Sequence, residues 1–150
     1  MKKLVKYLMV FLGILLLAFL TLRTIWSFTD KKKLNVYILD KTVTHYYRHE
    51  HKAFTWLLNH YRFVLPNTKS YSNKVDYFGF FPVDIEKEVF DFKSVRINEV
   101  DGFAEAFDVA YYTDCNGVHS FEWYKGKTKP IRSQKVYGGL NQNDFLLMKK

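Results

Sequence analysis

The chain has 150 residues, enough for one domain, and is 48% hydrophobic and 25% charged, which excludes a disordered tail. Seven glycines and three prolines exclude collagen-like and proline-rich classes, and a single cysteine, Cys115, excludes an internal disulfide framework or a multi-cysteine zinc site. The formal charge is +8, from 23 Lys+Arg against 15 Asp+Glu; residues 1–26 hold Lys2, Lys3, Lys6 and Arg23 and no acid, so the remainder is 19 against 15, a mild +4 that argues against a nucleic-acid partner.

Residues 7–22 carry no charge. Extended over residues 4–26, this segment makes a helix able to cross a hydrocarbon core of about 30 Å, at about 1.5 Å per residue. Lys6 and Arg23 then sit at the interfaces, where their stems snorkel, and Tyr7 and Trp26 stand as aromatic-belt residues. A cleaved signal peptide shares the basic start and the apolar middle. Residues 21–30 offer no Ala-x-Ala-like site, so an uncleaved anchor behind a short tail, residues 1–6, is the expectation. Lys2, Lys3 and Lys6 favour a cytoplasmic N-terminus in a plasma membrane, with residues 27–150 outside the cytoplasm. Arg23 and Lys31, Lys32 and Lys33 weaken that bias.

Residues 27–33 read as a basic linker, and residues 34–150 as the folded domain. Residues 34–39 are almost continuously apolar, as in a strand covered on both faces, and Asp40 ends the run. A loop with Thr42, Thr44 and His45 follows. Residues 50–62 read as a helix, with Ala53, Phe54, Leu57, Leu58 and Tyr61 on the buried face and Lys52, Thr55, Asn59 and Arg62 on the other. Pro66 and Asn67 stop it. Residues 75–81 predict a second strand, broken by Gly79 and closed by Pro82. Residues 85–92 predict a short helix or loop, residues 94–97 a short strand, and residues 108–113 a better one. Asn116-Gly117 signals a turn. Residues 118–124 predict a further strand, and residues 125–135 a basic loop. Asn141, with Asp144 three residues on, predicts the start of a last helix.

Alternating strands and helices predict an α/β layer with a mostly parallel sheet. A parallel sheet calls for a strand after that last helix, so the domain is expected to be incomplete at Lys150. In such sheets ligands sit beyond the carboxyl ends of the strands, which makes Asp40 and Asp114 the candidate ligand-binding residues. Either aspartate also suits the capping of a following turn.

Other constellations are weaker. His45, His49 and His51 lack the His-Glu-x-x-His spacing of a zinc helix and read as exposed histidines at a helix start. Asp114, Cys115 and His119 form the one nucleophile-like group, without a Gly-x-Cys-x-Gly elbow. Lys125, Lys127, Lys129, Arg132 and Lys135 make a loop with no acid, suited to phosphates, anionic lipid or another subunit. The aromatic runs 77–81 and 121–124 suit stacking on a ligand, or core and edge packing. No phosphate-binding glycine motif occurs. No catalytic residue, metal or cofactor is expected.

The run Asn35 to Val43, Trp56-Leu57-Leu58-Asn59, Asp76 to Phe80, Tyr111-Tyr112-Thr113-Asp114 and Tyr137-Gly138-Gly139-Leu140 together resemble uncharacterised membrane-anchored bacterial proteins with a class I glutamine-amidotransferase-like domain. The resemblance implies a flavodoxin-like α/β sandwich over residues 34–150, generally without the amidotransferase nucleophile. The family's Asp-Thr-Tyr-Gly-Val turn is matched at Asp114, Gly117 and Val118 but not at Cys115 or Asn116. The expected function is a single-pass membrane protein. It meets the bilayer through its N-terminal helix and binds a protein or small molecule outside the cytoplasm. The alternatives are a hydrolase or transferase using the strand-end carboxylates, and a structural or assembly subunit of an envelope complex.

Overall fold

The computed structural model describes residues 2–113 and 115–150, which form two compact units divided at Lys31 and Lys32. The first unit is a single helix, α1 (Lys2–Ser27), none of whose residues is buried by protein. At 26 residues it spans about 39 Å, long and apolar enough to cross a membrane. That length and composition fit an anchor and a signal sequence alike. Its Ser and Thr hydroxyls are satisfied within the helix: Thr21, Thr24 and Ser27 donate to the carbonyls of Ala18, Leu20 and Thr24, each at 2.8 Å.

The second unit is mixed α/β. Its elements are β1 (Lys32–Lys33), β2 (Val36–Asp40), α2 (His49–His60), β3 (Phe63–Val64), β4 (Phe78–Asp84), β5 (Val89–Lys93), α3 (Val100–Ala106), β6 (Val109–Tyr112), β7 (Val118–His119), α4 (Ser120–Trp123), β8 (Lys135–Tyr137) and α5 (Gln142–Met148). The main sheet runs β5-β4-β2-β6, with β4, β2 and β6 parallel and β5 antiparallel to β4. The chain moves from β2 to β4 on one side and returns to β6 on the other. The strand order therefore reverses between β2 and β6.

Every residue of β2 is buried, and its side chains alternate between two helical layers. Val36 and Ile38 pack with Leu58 of α2 and with Tyr71 and Tyr77. Tyr37 and Leu39 pack with Val95, Val100 and Leu147, beneath α3 and α5. A third cluster, Phe80, Val118 and Trp123, joins β4 to the β7–α4–β8 segment.

Several elements differ from the sequence-based expectation. Lys32 and Lys33, expected in the linker, pair in parallel with Phe63 and Val64. Strand β4 runs through both Gly79 and Pro82. It meets β2 only at Phe78 and Gly79, so Pro82, lacking an N–H, lies where β4 has one ladder partner. The expected helix or loop over residues 85–92 is a hairpin. Asp84 Oδ1 accepts the Glu86 and Lys87 amides at 3.1 and 3.0 Å, and Glu88 takes φ 58° before β5 begins. Residues 94–97 are not a strand; Ile97–Glu99 is a 3-10 turn leading into α3. In the stretch 118–124 the strand covers Val118 and His119, and α4 follows, with the His119 amide donating to Glu122 at 2.7 Å.

The face of α2 is also rotated. His51, Thr55 and Leu58 are the buried residues, while Ala53, Leu57 and Tyr61 are exposed. A polar side chain can occupy an inside position where it finds an internal hydrogen-bond partner. His51 bonds a buried carboxylate, and Thr55 Oγ1 donates to the His51 carbonyl at 3.0 Å.

Gly79 fixes the approach of β4 to β2. At φ 127°, a Cβ there would lie 1.8 Å from the Asp40 carbonyl oxygen. Gly102, inside α3, has nothing within 4 Å of such a Cβ. Urea unfolding should therefore show opposite signs for the two alanine variants. Gly79→Ala is expected to lose about 3 kcal/mol. Gly102→Ala is expected to gain about 0.5–1 kcal/mol.

Candidate functional site at the carboxyl ends of the strands

Asp40 ends β2, and its side chain turns toward α2. It is fully buried. Oδ1 accepts the backbone amides of Thr42 and Val43, both at 3.2 Å. Oδ2 accepts Arg48 Nη1 at 3.1 Å and faces His51 Nδ1 at 3.0 Å. Each of its two oxygens thus carries two partners, the full complement of a carboxylate.

Arg48 precedes α2 and is itself buried. Its φ of 41° lies in the left-handed region that residues other than glycine uncommonly adopt. The contacts it gains hold it there. Nη2 donates to the Phe80 carbonyl at 2.8 Å, and Cζ lies 3.6 Å from the centre of the Tyr77 ring. Tyr77 in turn stacks on Phe81 at 4.1 Å and donates to the Phe80 carbonyl at 3.1 Å. One guanidinium thus ties β2, β4 and the start of α2 together. His51 Nε2 faces the Asn73 carbonyl at 3.0 Å. Both ring nitrogens thus lie within hydrogen-bond distance of an oxygen, one from Asp40 and one from the backbone at Asn73.

Burial by itself would raise the Asp40 carboxyl. The His51 hydrogen bond, the Arg48 charge and the Thr42 amide outweigh it and hold the carboxyl below its ordinary value. Burial lowers the Arg48 guanidinium, against the pull of Tyr77 and Asp40.

Lys41, the next residue, turns to the opposite face and is also buried. Its Nζ donates to the Gly139 carbonyl at 3.0 Å and pairs with Asp144 Oδ2 in α5. Asp144 also closes the predicted cap. The Asn141 amide donates to Oδ2 at 2.8 Å, and Asn141 Oδ1 accepts the Asp144 amide at 2.9 Å.

Three tyrosines border this second pair. Tyr112 and Tyr137 are pushed up to about 12, by burial first and then by Asp144 and Cys115. Tyr37 is raised further, again chiefly by burial. Tyr112 donates to the Asp144 carbonyl at 3.2 Å. Among the described residues, the buried hydroxyls of Tyr37 and Tyr137 find no hydrogen-bond partner. The backbones of Gly117 and Gly138 press together above; a Cβ on Gly138 would lie 2.0 Å from Gly117 Cα. The Gly117 amide donates to Thr42 Oγ1 at 3.2 Å, and the Gly139 amide to the Cys115 carbonyl at 2.7 Å.

The crevice where strand order reverses is thus roofed by the chain's own loops. On the other face of the sheet an open groove of about 360 Å³ lies beside β6. Tyr37, Phe103, Phe107, Val109, Ala110 and Leu147 are among its walls. Strand β6 pairs only with β2 among the described residues, so this groove runs along a free sheet edge.

Of the two predicted ligand-binding residues, Asp40 is inside, opposite the groove's face of the sheet, and Asp114 lies outside the described residues. Of the three histidines, His45 and His49 are exposed and His51 is wholly buried, contrary to the reading of all three as exposed. No group of three or more metal-ligating side chains occurs among the described residues. Cys115 is half-buried in the cluster beneath α3 and α5. Sequence reasoning missed both Lys41 and Arg48. The signal for both was a charged residue beside a continuous apolar strand or at a helix start, where burial demands a counter-charge. Comparison with protein-family models, with curated proteins and with solved structures returns no match.

Because the folded state holds Asp40 ionised, its contribution is complete above the ordinary carboxylate range and fades as pH falls through the lower folded value. Asp40→Asn should lose about 3–5 kcal/mol at neutral pH, since the Arg48 guanidinium stays buried without its counter-charge. In urea unfolding at several pH values, the gap between wild type and variant should stay constant from neutrality to about pH 5 and narrow below about pH 4.

Proposed function

We propose that this chain is a single-pass plasma-membrane protein, N-terminus cytoplasmic, whose flavodoxin-like, amidotransferase-like domain binds a ligand or partner outside the cytoplasm without catalysis. Support for the anchor comes from α1, uncharged over residues 7–22 and preceded by Lys2, Lys3 and Lys6. Support for the flavodoxin-like reading comes from the parallel order β4-β2-β6, with its reversal beside the central strand.

The observation that carries the binding reading is the groove beside β6. It is apolar on the α3 and α5 sides, with Phe103, Phe107 and Leu147, and it is bordered by the unpaired edge of a strand. Such an edge offers main-chain donors and acceptors to an extended segment, and the apolar walls offer side-chain or ring pockets.

The test is a screen of small aromatic fragments by amide-resolved NMR on the full chain in micelles. Binders should shift the amides of Ala104, Val109, Ala110 and Leu147, lose that effect in Ala104→Trp, and be recovered unchanged. Shifts scattered over other surfaces, or shifts that survive Ala104→Trp, would contradict the assignment.

A further inference from the structure

The loop between α4 and β8 is built unlike the rest of the surface. Residues 124–143 contain five cations and no acid. Both ends of the loop are pinned. At one, Glu88 Oε1 accepts the Lys125 amide at 2.8 Å and Thr128 Oγ1 at 2.6 Å, and Trp123 Nε1 donates to the Glu88 carbonyl at 3.0 Å. At the other, the Ser120 amide donates to the Gln134 carbonyl at 2.7 Å, and the Gln134 amide to Ser120 Oγ at 2.8 Å. Lys129 and Arg132 between these clamps, and Lys125 and Lys135 at their two ends, are exposed, and none forms an ion pair among the described residues.

The nearest carboxylates are spoken for. Glu88 is held below its ordinary value by the Lys125 amide, then by Thr128, and Glu122 caps α4. At the tip stands Ile131, 99% exposed, the most exposed large apolar side chain among the described residues. Phe121, itself exposed, lies under Lys129 Nζ at 4.7 Å from the ring centre.

We propose that this loop is a second membrane contact that docks on an anionic phospholipid surface. The four cations sit among the headgroups, and Ile131, with Phe121 behind it, enters the acyl boundary. A nucleic acid or an acidic protein would use the cations but leave an aliphatic tip without a purpose; a bilayer uses both. The contact itself does not depend on the anchor, and the two fail separately.

The test places an environment-sensitive fluorophore on the thiol introduced at position 131 in the full-length double variant Cys115→Ala, Ile131→Cys. Vesicles are phosphatidylcholine alone or with about a third phosphatidylglycerol. Flotation with the neutral vesicles reports α1. The expected result for the loop is a blue shift and quenching by brominated acyl chains in the anionic vesicles only. Both effects should be lost in molar salt, where the screening length is about 3 Å. They should also be lost when Lys125, Lys129, Arg132 and Lys135 become Glu. Ile131→Asp in the otherwise native chain should remove the salt-sensitive part of flotation without altering the fold. An unshifted label on anionic vesicles, equal shifts on both vesicle types, or a shift caused only by an oligonucleotide would each overturn the proposal.

Discussion

Two consecutive residues at the end of the central strand carry opposite charges into opposite sides of the domain. The pleat of β2 sends Asp40 toward α2 and Lys41 toward α5. Neither charge tolerates burial alone. Asp40 therefore requires Arg48 and His51, which fixes the start of α2. Lys41 requires Asp144, which fixes the start of α5. The Asp40 carbonyl also meets Gly79, which sets how closely β4 lies against β2. Two helical layers and a neighbouring strand thus take their register from one dipeptide. Buried ion pairs add little net stability over apolar replacements of the same shape. Their effect here is specificity: a slip of β2 by one residue would place a carboxylate against α5 and an ammonium against Arg48.

The same dipeptide decides where the chain is available to others. Roofed by the Gly117–Gly138 contact and filled by its own side chains, the crevice beyond β2 and β6 is internal. Openness is displaced to the neighbouring groove along β6 and to the basic loop between α4 and β8. The first has apolar walls from α3 and α5 and main-chain hydrogen-bonding capacity along β6, and the second is cationic with an aliphatic tip. Each follows from an element left on one side without a partner.

The sequence made the large features legible wherever one physical effect dominated. An uncharged run gave α1, a continuous apolar run gave β2, and Asn141 with Asp144 gave the start of α5. Reading failed where two effects competed. Residues 85–92 carry helix-compatible Glu and Lys, but an Asp84 turn and alternating aromatics made a hairpin. Helix α3 is short and held by packing through Val100 and Phe103, which no local pattern announces. The buried face of α2 was misjudged because His51 and Thr55 are buried by partners rather than by hydrophobicity. Asp40 stood out as a strand-end carboxylate; the four donors that occupy it come from residues two to eleven positions away, in a loop whose fold the sequence does not spell out.

Native-state amide exchange on Asp40→Asn and Lys41→Met tests the central claim most directly. If the dipeptide holds the two layers separately, Asp40→Asn lowers protection in α2 while α5 keeps its own, and Lys41→Met does the reverse. A uniform loss of protection across both helices in each variant, or no loss in either, would contradict it.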